Sequence, residues 1–405
     1  MAQHSIKAAP DYLPIGFFSF FRHFFDLFTI KTFDLWIENK DYTMQLGFSC
    51  RALFEACMRH YNKKDLVVAT TPLHHTSFRN ILENFVKPEN IHIIEFNENY
   101  NRIAKIPNIE KCDLIVITHL FGQDLDLSVL SDFKKKHNCI IIEDRVQGGT
   151  LDKKFSDEVV DVSIYSMGMD KKPIALGGGF MFIRNKYQEL IEDVKQIVET
   201  SPTEKLRKRF IDLLKKVPTY FFYNSRLFIA LFFDIFDIVG FFNKNVSLLK
   251  FTKSYRTKNP GFNHYNYMLK PSNALLKSMY KNLDNYKKME ALYTRKYRIF
   301  YDSFSTKLLH KFFPWNRGDP VLTPYNTILM EDSLVDQFLE FLTENKIPCI
   351  TNPTYKMFNH SYEGDQKHKK FNDGIVYLPS PAIMKQKEIK FLAEKIEEFY
   401  RIQNL

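Results

Sequence analysis

An acid and a lysine in neighbouring segments give the strongest chemical signal in this sequence. Asp144 follows an apolar run at 139–142, and Lys171 lies just before the three glycines at 177–179. One chemistry uses such a pair: the lysine forms a Schiff base with pyridoxal phosphate, and the carboxylate keeps the pyridine nitrogen protonated. Taken alone, Asp144 is better explained as a strand-end cap, and Lys171, beside Lys172, as a solvated loop lysine.

Two further groups of residues are candidates for holding the phosphate and the ring of such a cofactor. Ser166 and the segment 47–53 place small polar residues near an apolar helical stretch. Backbone N–H groups at a helix start, with Ser49 and Arg51, suit a dianion, although Ser49 is equally an ordinary N-cap. His74 offers a flat ring for stacking; its alternatives are a loop histidine or a metal ligand. No acid cluster accompanies it, so no metal site is predicted.

Length, charge and cysteine usage limit the class of protein. The 405 residues exceed what one core usually serves, which predicts a large and a smaller domain. The net charge of +10 suits anionic ligands, RNA or a membrane surface; we predict no nucleic-acid partner. Five cysteines without a CxxC pair indicate neither a disulfide framework nor a zinc site. We therefore expect a cytoplasmic protein, and the N-terminus lacks the pattern of a signal peptide.

Short apolar runs alternate with helical stretches between about residues 45 and 185. Six runs are predicted strands, with helices between some of them, a pattern typical of βαβ units and a largely parallel sheet. Ligands of such sheets bind at the carboxyl ends of the strands. Asp144, Ser166 and His119 each lie at or just after such an end. The predicted strands are 66–69, 91–96, 114–118, 139–143, 162–166 and 180–183.

The middle of the chain is unusually aromatic. The segment 220–242 and the N-terminal segment 17–28 are rich in phenylalanine, and they are candidates for packing against each other. We predict a helical pair lying on the core or on a second subunit. The alternative is an interfacial membrane helix, with weak contact to a membrane surface.

The chain resembles the DegT/DnrJ/EryC1/StrS family of aminotransferases. Six segments match the family's motifs in order over about residues 40–185 and 260–405. They are HLFGQ at 119–123 (family H-L-Y-G-Q), EDRVQ at 143–147 (E-D-A-A-Q), SMGMDK at 166–171 (S-F-x-x-x-K), LGGG at 176–179 (L-G-E-G-G), GFN at 261–263 with Met268 (G-Y-N-x-R-M), and LPSP at 378–381.

The resemblance implies an α/β fold like that of aspartate aminotransferase. Its large domain has a mostly parallel seven-stranded sheet, and a smaller α+β domain forms the C-terminus. In this chain we expect the pyridoxal-phosphate-binding domain over 1–260, with a Phe-rich helical insertion at about 200–258. A long helix and the small domain then occupy 261–405.

The resemblance also implies roles for individual residues. Lys171, five residues after Ser166 as in the family motif, is the Schiff-base lysine, and Asp144 pairs with the pyridine nitrogen. The other implied contacts to the cofactor are Gln147 to the ring hydroxyl, Ser166 to the phosphate, His74 to the ring face, Ser49, Cys50 and Arg51 around the phosphate, and Asn263 or Asn266 to the phosphate of the neighbouring subunit's cofactor.

The implied function is transfer of an amino group, from glutamate as the donor, to a keto sugar on a nucleotide carrier. The family builds its active site at the boundary of a homodimer. Several residues depart from the family: Ser49 and Cys50 replace its Gly-Thr pair, Gly178 its glutamate and Tyr267 its arginine. Two alternatives remain. One is a sugar dehydratase using the same cofactor, although such enzymes lose the lysine; the other is a non-catalytic membrane-surface scaffold.

Overall fold

The structure is a computed structural model of the chain. It describes residues 6, 15–97, 99–168, 171, 173–225, 227–228, 231, 235, 267–315, 326–351, 355–357 and 365–403. The strands in chain order are β1 (Trp36–Glu38), β2 (Tyr42–Gly47), β3 (Val68–Thr70), β4 (Leu73–His75), β5 (Ile91–Ile93), β6 (Glu95–Phe96), β7 (Ile103–Lys105), β8 (Leu114–Thr118), β9 (Ile140–Asp144), β10 (Val162–Ser166), β11 (Gly179–Arg184), β12 (Asn326–Leu329), β13 (Ile350–Thr351), β14 (Tyr355–Met357) and β15 (Ile375–Leu378).

Helices occur before, between and after these strands. In chain order they are α1 (Phe17–Phe25), α2 (Cys50–His60), α3 (Thr76–Phe85), α4 (Leu130–His137), α5 (Gln188–Thr200), α6 (Leu206–Asn224), α7 (Asn273–Tyr301), α8 (Thr306–Phe312), α9 (Val335–Glu344), α10 (Asp365–Gly374) and α11 (Gln386–Ile402).

An eight-stranded mixed sheet forms the centre of the molecule, with the order β1-β2-β11-β10-β9-β8-β3-β5. The strands from β10 to β5 pair in parallel, whereas β1, β2 and β11 pair antiparallel with their neighbours. The α/β fold class is thus confirmed. The sheet has one strand more than the predicted seven, and its edge strand β1 is only three residues long.

Both faces of the sheet are covered, which explains the near-continuous apolar strands. In β8, Leu114 and Val116 join one hydrophobic cluster, together with residues of α2, α3 and α5. Ile115 and Ile117 join a second cluster, which includes Leu130 of α4. Successive side chains point to opposite faces of a strand, so each face of β8 packs against its own layer.

A second, smaller sheet lies towards the C-terminus and has the order β12-β15-β13. Its strands are antiparallel and share a hydrophobic cluster with α9 and α11. The 29-residue helix α7 precedes this region along the chain. The predicted boundary at residue 260 falls outside the described residues, so the proposed domain limits stay a prediction.

The N-terminal helix α1 packs against α6. The rings of Phe20 and Tyr220 stack with centroids 4.2 Å apart, and both join a small cluster with Ile174 and Leu176. The described parts of the two Phe-rich segments therefore do pack together, as the sequence suggested. Among the described residues, no helix is long and apolar enough to cross a bilayer.

Candidate active site

Three parallel strands end side by side at one edge of the main sheet. Thr118 ends β8, Asp144 ends β9 and Ser166 ends β10. Thr118 is the register partner of Asp144, and Asp144 is also paired with Ile164 on β10. The carboxyl edge of the sheet thus brings together the acid and the serine that the sequence predicted. Lys171 lies five residues after Ser166, beyond the same edge.

Asp144 is a buried carboxyl group, only 3% exposed. Its Oδ1 accepts a hydrogen bond from the Val146 N–H at 2.9 Å. Burial raises the pKa of Asp144 to about 6, although the Val146 hydrogen bond and the charge of Lys171 oppose the shift. The positive surroundings therefore only partly compensate for the lost solvation, and a protonated ring nitrogen would supply the missing positive charge. This environment fits pyridoxal phosphate.

The start of α2 meets the glycine turn after Lys171. Ser49 is the N-cap of α2, and its Oγ accepts a hydrogen bond from the Ala52 N–H at 3.2 Å. Ser49 also forms a β-bridge with Gly178. A Cβ on Gly179 would lie 2.4 Å from the Cys50 nitrogen, so only glycine permits this approach. A helix start with a serine cap, next to Ser166 at its sheet edge, suits a phosphate.

Cys50 is half-buried near the predicted site. Burial and the neighbouring Asp144 charge raise the pKa of its thiol to about 11, while Arg51, Ser166 and Lys171 act in the opposite direction. The thiol is consequently protonated at neutral pH. Cys50 therefore offers a weak hydrogen-bond donor rather than a thiolate nucleophile.

Arg51 is exposed, and its guanidinium lies 5.5 Å from the centroid of the Tyr267 ring. The Tyr267 hydroxyl in turn donates a hydrogen bond to Glu55. The residue that replaces the family's arginine is thus tied to the same helix as Arg51. The predicted contact of Arg51 with the phosphate stays a prediction.

His74 is a buried strand residue rather than a loop histidine. It lies in β4, which pairs with β14, and is 1% exposed. Thr70 donates its hydroxyl proton to the Val116 carbonyl, so the Thr70 Oγ1 accepts from His74 Nε2 at 2.8 Å. Thr118 donates to Nδ1 at 2.6 Å. Burial lowers the pKa of His74 to about 3, so the ring is neutral at pH 7. The ring is held by Thr118, which is the register partner of Asp144 on the adjacent strand.

Gln147 follows Asp144 at the same edge and is 5% exposed. Its backbone carbonyl accepts from the Gly122 N–H at 2.7 Å, and its Oε1 accepts from the Phe121 N–H at 3.5 Å. The segments 119–123 and 143–147 are therefore adjacent. The contact of Gln147 with a ring hydroxyl stays a prediction, and Asn263 and Asn266 lie outside the described residues.

A buried polar network beneath the edge was not predicted from the sequence. Glu143 accepts hydrogen bonds from His119 Nε2 at 2.8 Å, from the Ser156 N–H at 3.0 Å, and from the Ser156 and Ser163 hydroxyls. Burial opposes ionisation, but these bonds and nearby positive charges outweigh it and keep the pKa of Glu143 below its usual value. His119 Nδ1 accepts from the Leu125 N–H at 2.9 Å, which places the ring proton on Nε2.

Arg145 anchors the loop that follows β9. Its guanidinium forms a two-pronged ion pair with Asp124, at 3.1 and 2.7 Å, and donates to the Lys153 and Thr150 carbonyls. The sequence did contain an indication of this network, because charged residues lie at the ends of otherwise apolar strands. Only the tertiary contacts show that these charges neutralise each other and hold the backbone of Asp144 and Gln147.

Arg209 of α6 holds the turn between Lys171 and β11. Its side chain is 3% exposed and donates to the Ala175 and Leu176 carbonyls at 3.0 and 2.9 Å. This turn has positive φ at Leu176 and Gly177, and a Cβ on Gly177 would lie 2.8 Å from the arginine Nη1. The Phe-rich part of the chain therefore positions the backbone that leads away from Lys171.

Arg209→Met is expected to destabilise the protein by about 2–3 kcal/mol, because two buried carbonyls lose a charged donor. Amides between residues 174 and 179 should exchange with solvent faster in the cofactor-free protein. Urea unfolding and hydrogen exchange check both effects. Arg207→Met, at an exposed position of the same helix, is the matched control and should change stability by less than about 0.5 kcal/mol. Unchanged exchange in the Arg209 variant would contradict this positioning role.

No protein-family model and no curated protein sequence matches the chain. Solved structures do match its fold. The chain has the fold of sugar-aminotransferase structures. A putative sugar aminotransferase from Streptococcus pneumoniae in its PMP form is 12% identical, with a TM-score of 0.63, over 98% of this chain and 100% of that one. The aminotransferase PseC from Helicobacter pylori, involved in pseudoaminic acid biosynthesis, is 14% identical, with a TM-score of 0.59, over 88% and 86%.

A dehydratase shares the fold as well. GDP-4-keto-6-deoxy-D-mannose-3-dehydratase from E. coli, with bound hydrated PLP, is 12% identical, with a TM-score of 0.61, over 97% of this chain and 100% of that one. At these identities the likeness shows the fold. The expected fold like that of aspartate aminotransferase agrees with these neighbours.

Proposed function

We propose that this protein is a pyridoxal-phosphate-dependent aminotransferase. The observation that carries the proposal is the buried Asp144 at the end of β9. Burial raises its pKa to about 6, and its carboxylate interacts electrostatically with the charge of Lys171. The neighbouring structures support it, since two of those described above are named aminotransferases. The dehydratase, with bound hydrated PLP, supports the cofactor but not the transfer of an amino group. Within the family resemblance, the presence of Lys171 favours transamination over dehydration.

Each residue of the site has a task in the proposed reaction. When bound, pyridoxal phosphate supplies an electron sink for the negative charge that develops at the donor's α-carbon. Asp144 would hold the ring nitrogen protonated, and Ser49, Ser166 and the start of α2 would hold the phosphate. Lys171 would hold the cofactor covalently through Nζ; once released, its amine takes the proton from the donor's α-carbon.

The proposed substrates rest on the family resemblance and on the net charge of the protein. The donor is glutamate, and the acceptor is a keto sugar on a nucleotide carrier, whose phosphates suit a protein of net charge +10. We further propose a homodimer with a site at the subunit boundary, to which Asn263 or Asn266 contributes, and a cytoplasmic location.

A two-stage assay tests this function. Purified protein loaded with pyridoxal phosphate is mixed with glutamate alone, and conversion of the cofactor is followed by its absorbance. Nucleotide-linked keto sugars are then added and screened by mass spectrometry for an amino product. Conversion by glutamate with aminated sugar supports the proposal. A product that has lost water instead of gaining an amine would favour the dehydratase, and no change in absorbance with glutamate would reject the proposed transamination.

A further inference from the structure

Helix α1 carries phenylalanine rings that point away from the protein. Phe18 is 86% exposed and Phe25 is 71% exposed. Seven residues separate positions on nearly the same side of an α-helix, so these two rings share one side. Arg22 is exposed between them, and Phe28, just after the helix, is 82% exposed. Monomeric soluble proteins rarely expose such a concentration of large apolar side chains.

Helix α6 continues this surface. Its exposed apolar side chains Leu206, Phe210 and Leu214 follow at intervals of four and therefore lie along one side of the helix. The rings of Phe24 and Phe210 are in edge contact, with centroids 6.1 Å apart, so the exposed surfaces of α1 and α6 are continuous. We call this surface the aromatic–basic face; its apolar members are Phe18, Phe25, Phe28, Leu206, Phe210 and Leu214.

The charged side chains exposed by the two helices are basic. They are Arg22 on α1, and Arg207 and Lys215 on α6, with Lys205 exposed at the N-cap of α6. Interfacial membrane helices combine large apolar side chains with lysine and arginine in this way. Each basic residue near an anionic bilayer surface adds to the attraction.

We propose that the aromatic–basic face binds the surface of a membrane that contains anionic lipid. A second copy of the chain fits the face less well, because a two-fold contact places the same surface on both subunits. Such a contact would bring the basic residues of one copy against those of the other. An anionic bilayer instead accepts the phenylalanine rings at its headgroup boundary and the basic side chains at its phosphates.

Phe18→Ser combined with Phe25→Ser should weaken vesicle binding at least about tenfold, because two rings no longer enter the bilayer boundary. The full chain, loaded with pyridoxal phosphate, is sedimented with vesicles of phosphatidylserine in phosphatidylcholine and with vesicles of phosphatidylcholine alone. We expect binding to the first and little to the second, and weaker binding at high salt. Both rings are exposed, so the variant should keep the thermal stability and the glutamate reaction of the wild type.

Val129→Ser combined with Ile402→Ser removes two exposed apolar side chains elsewhere and should leave vesicle binding unchanged. Absence of binding, equal binding to both vesicle types, or equal loss in the control variant would overturn the proposal. Sedimentation velocity tests whether a second copy of the chain binds the face instead. A wild-type dimer that dissociates in the Phe18 and Phe25 variant, without vesicle binding, would assign the face to a second copy. Vesicle binding does not depend on the cofactor, so this result is separable from the proposed function.

Discussion

Lys171→Met is expected to reduce amino transfer by about 10³-fold or more, because it removes the amine that carries the proton at the donor's α-carbon. Methionine has a similar length and keeps the half-buried position filled, so folding should be little affected. Steady-state rates with glutamate and the identified acceptor measure the loss, and circular dichroism confirms the fold. The cofactor should still bind, held by the remaining contacts, but should wash out on dialysis.

The matched control is Lys172→Met, which changes the adjacent lysine in the same way. The family motif counts five residues from Ser166 to the reactive lysine, which selects Lys171. We therefore expect the Lys172 variant to retain activity within a few-fold of the wild type. Loss of activity in the Lys172 variant, with Lys171→Met active, would reverse the assignment.

Asp144→Asn is expected to stabilise the cofactor-free protein by about 2–3 kcal/mol near neutral pH, while weakening cofactor binding and activity. Burial raises the pKa of Asp144 from 3.8 to about 6, so ionising this buried group destabilises the fold. The cost is absent below pH 3.8, where the carboxyl is protonated in both folded and unfolded chains, and is complete above about pH 6. Asparagine does not ionise, so its advantage grows between these values.

Urea unfolding of the cofactor-free protein near pH 4 and near pH 7 measures this difference. Asp34→Asn changes an exposed aspartate and should alter stability by less than about 0.5 kcal/mol at either pH. An Asp144 variant that is less stable than the wild type near neutral pH would show that the ionised carboxylate is already well compensated. That outcome would remove the electrostatic argument for a cationic partner at this position.

Apolar strands and long amphipathic helices were the parts of the fold that the sequence predicted well. The predicted limits of β8 and β10 coincide with the observed ones, because a short apolar run with a helical stretch near it is compatible with few structures other than a buried strand. The strands β2 and β4 were not predicted. β2 contains the buried Gln45, whose amide donates to the Leu35 carbonyl at 3.0 Å; β4 pairs with residues 355–357. Both depend on contacts that a local pattern does not contain.

The residues of the candidate site also divide into those that the sequence predicted and those that only the tertiary structure revealed. Asp144 and Ser166 were found because polar residues at the ends of buried strands are conspicuous in the sequence. The environment of His74, which is enclosed by three threonines, and the role of Arg209 came only from the structure. Their partners are brought together by the tertiary fold, and neither residue lies in a pattern that distinguishes it from a loop or a surface position.

The most direct test of the proposed function is to identify the residue to which the cofactor is covalently attached. The protein is loaded with pyridoxal phosphate, reduced with borohydride and digested, and the peptides are sequenced by mass spectrometry. The proposed function predicts one modified peptide, with the phosphopyridoxyl group on Lys171, and its absence in Lys171→Met. Modification of Lys172 would reverse the assignment of the reactive lysine. Modification of scattered surface lysines, or no modification at all, would contradict the assignment of this edge of the sheet as a pyridoxal phosphate site.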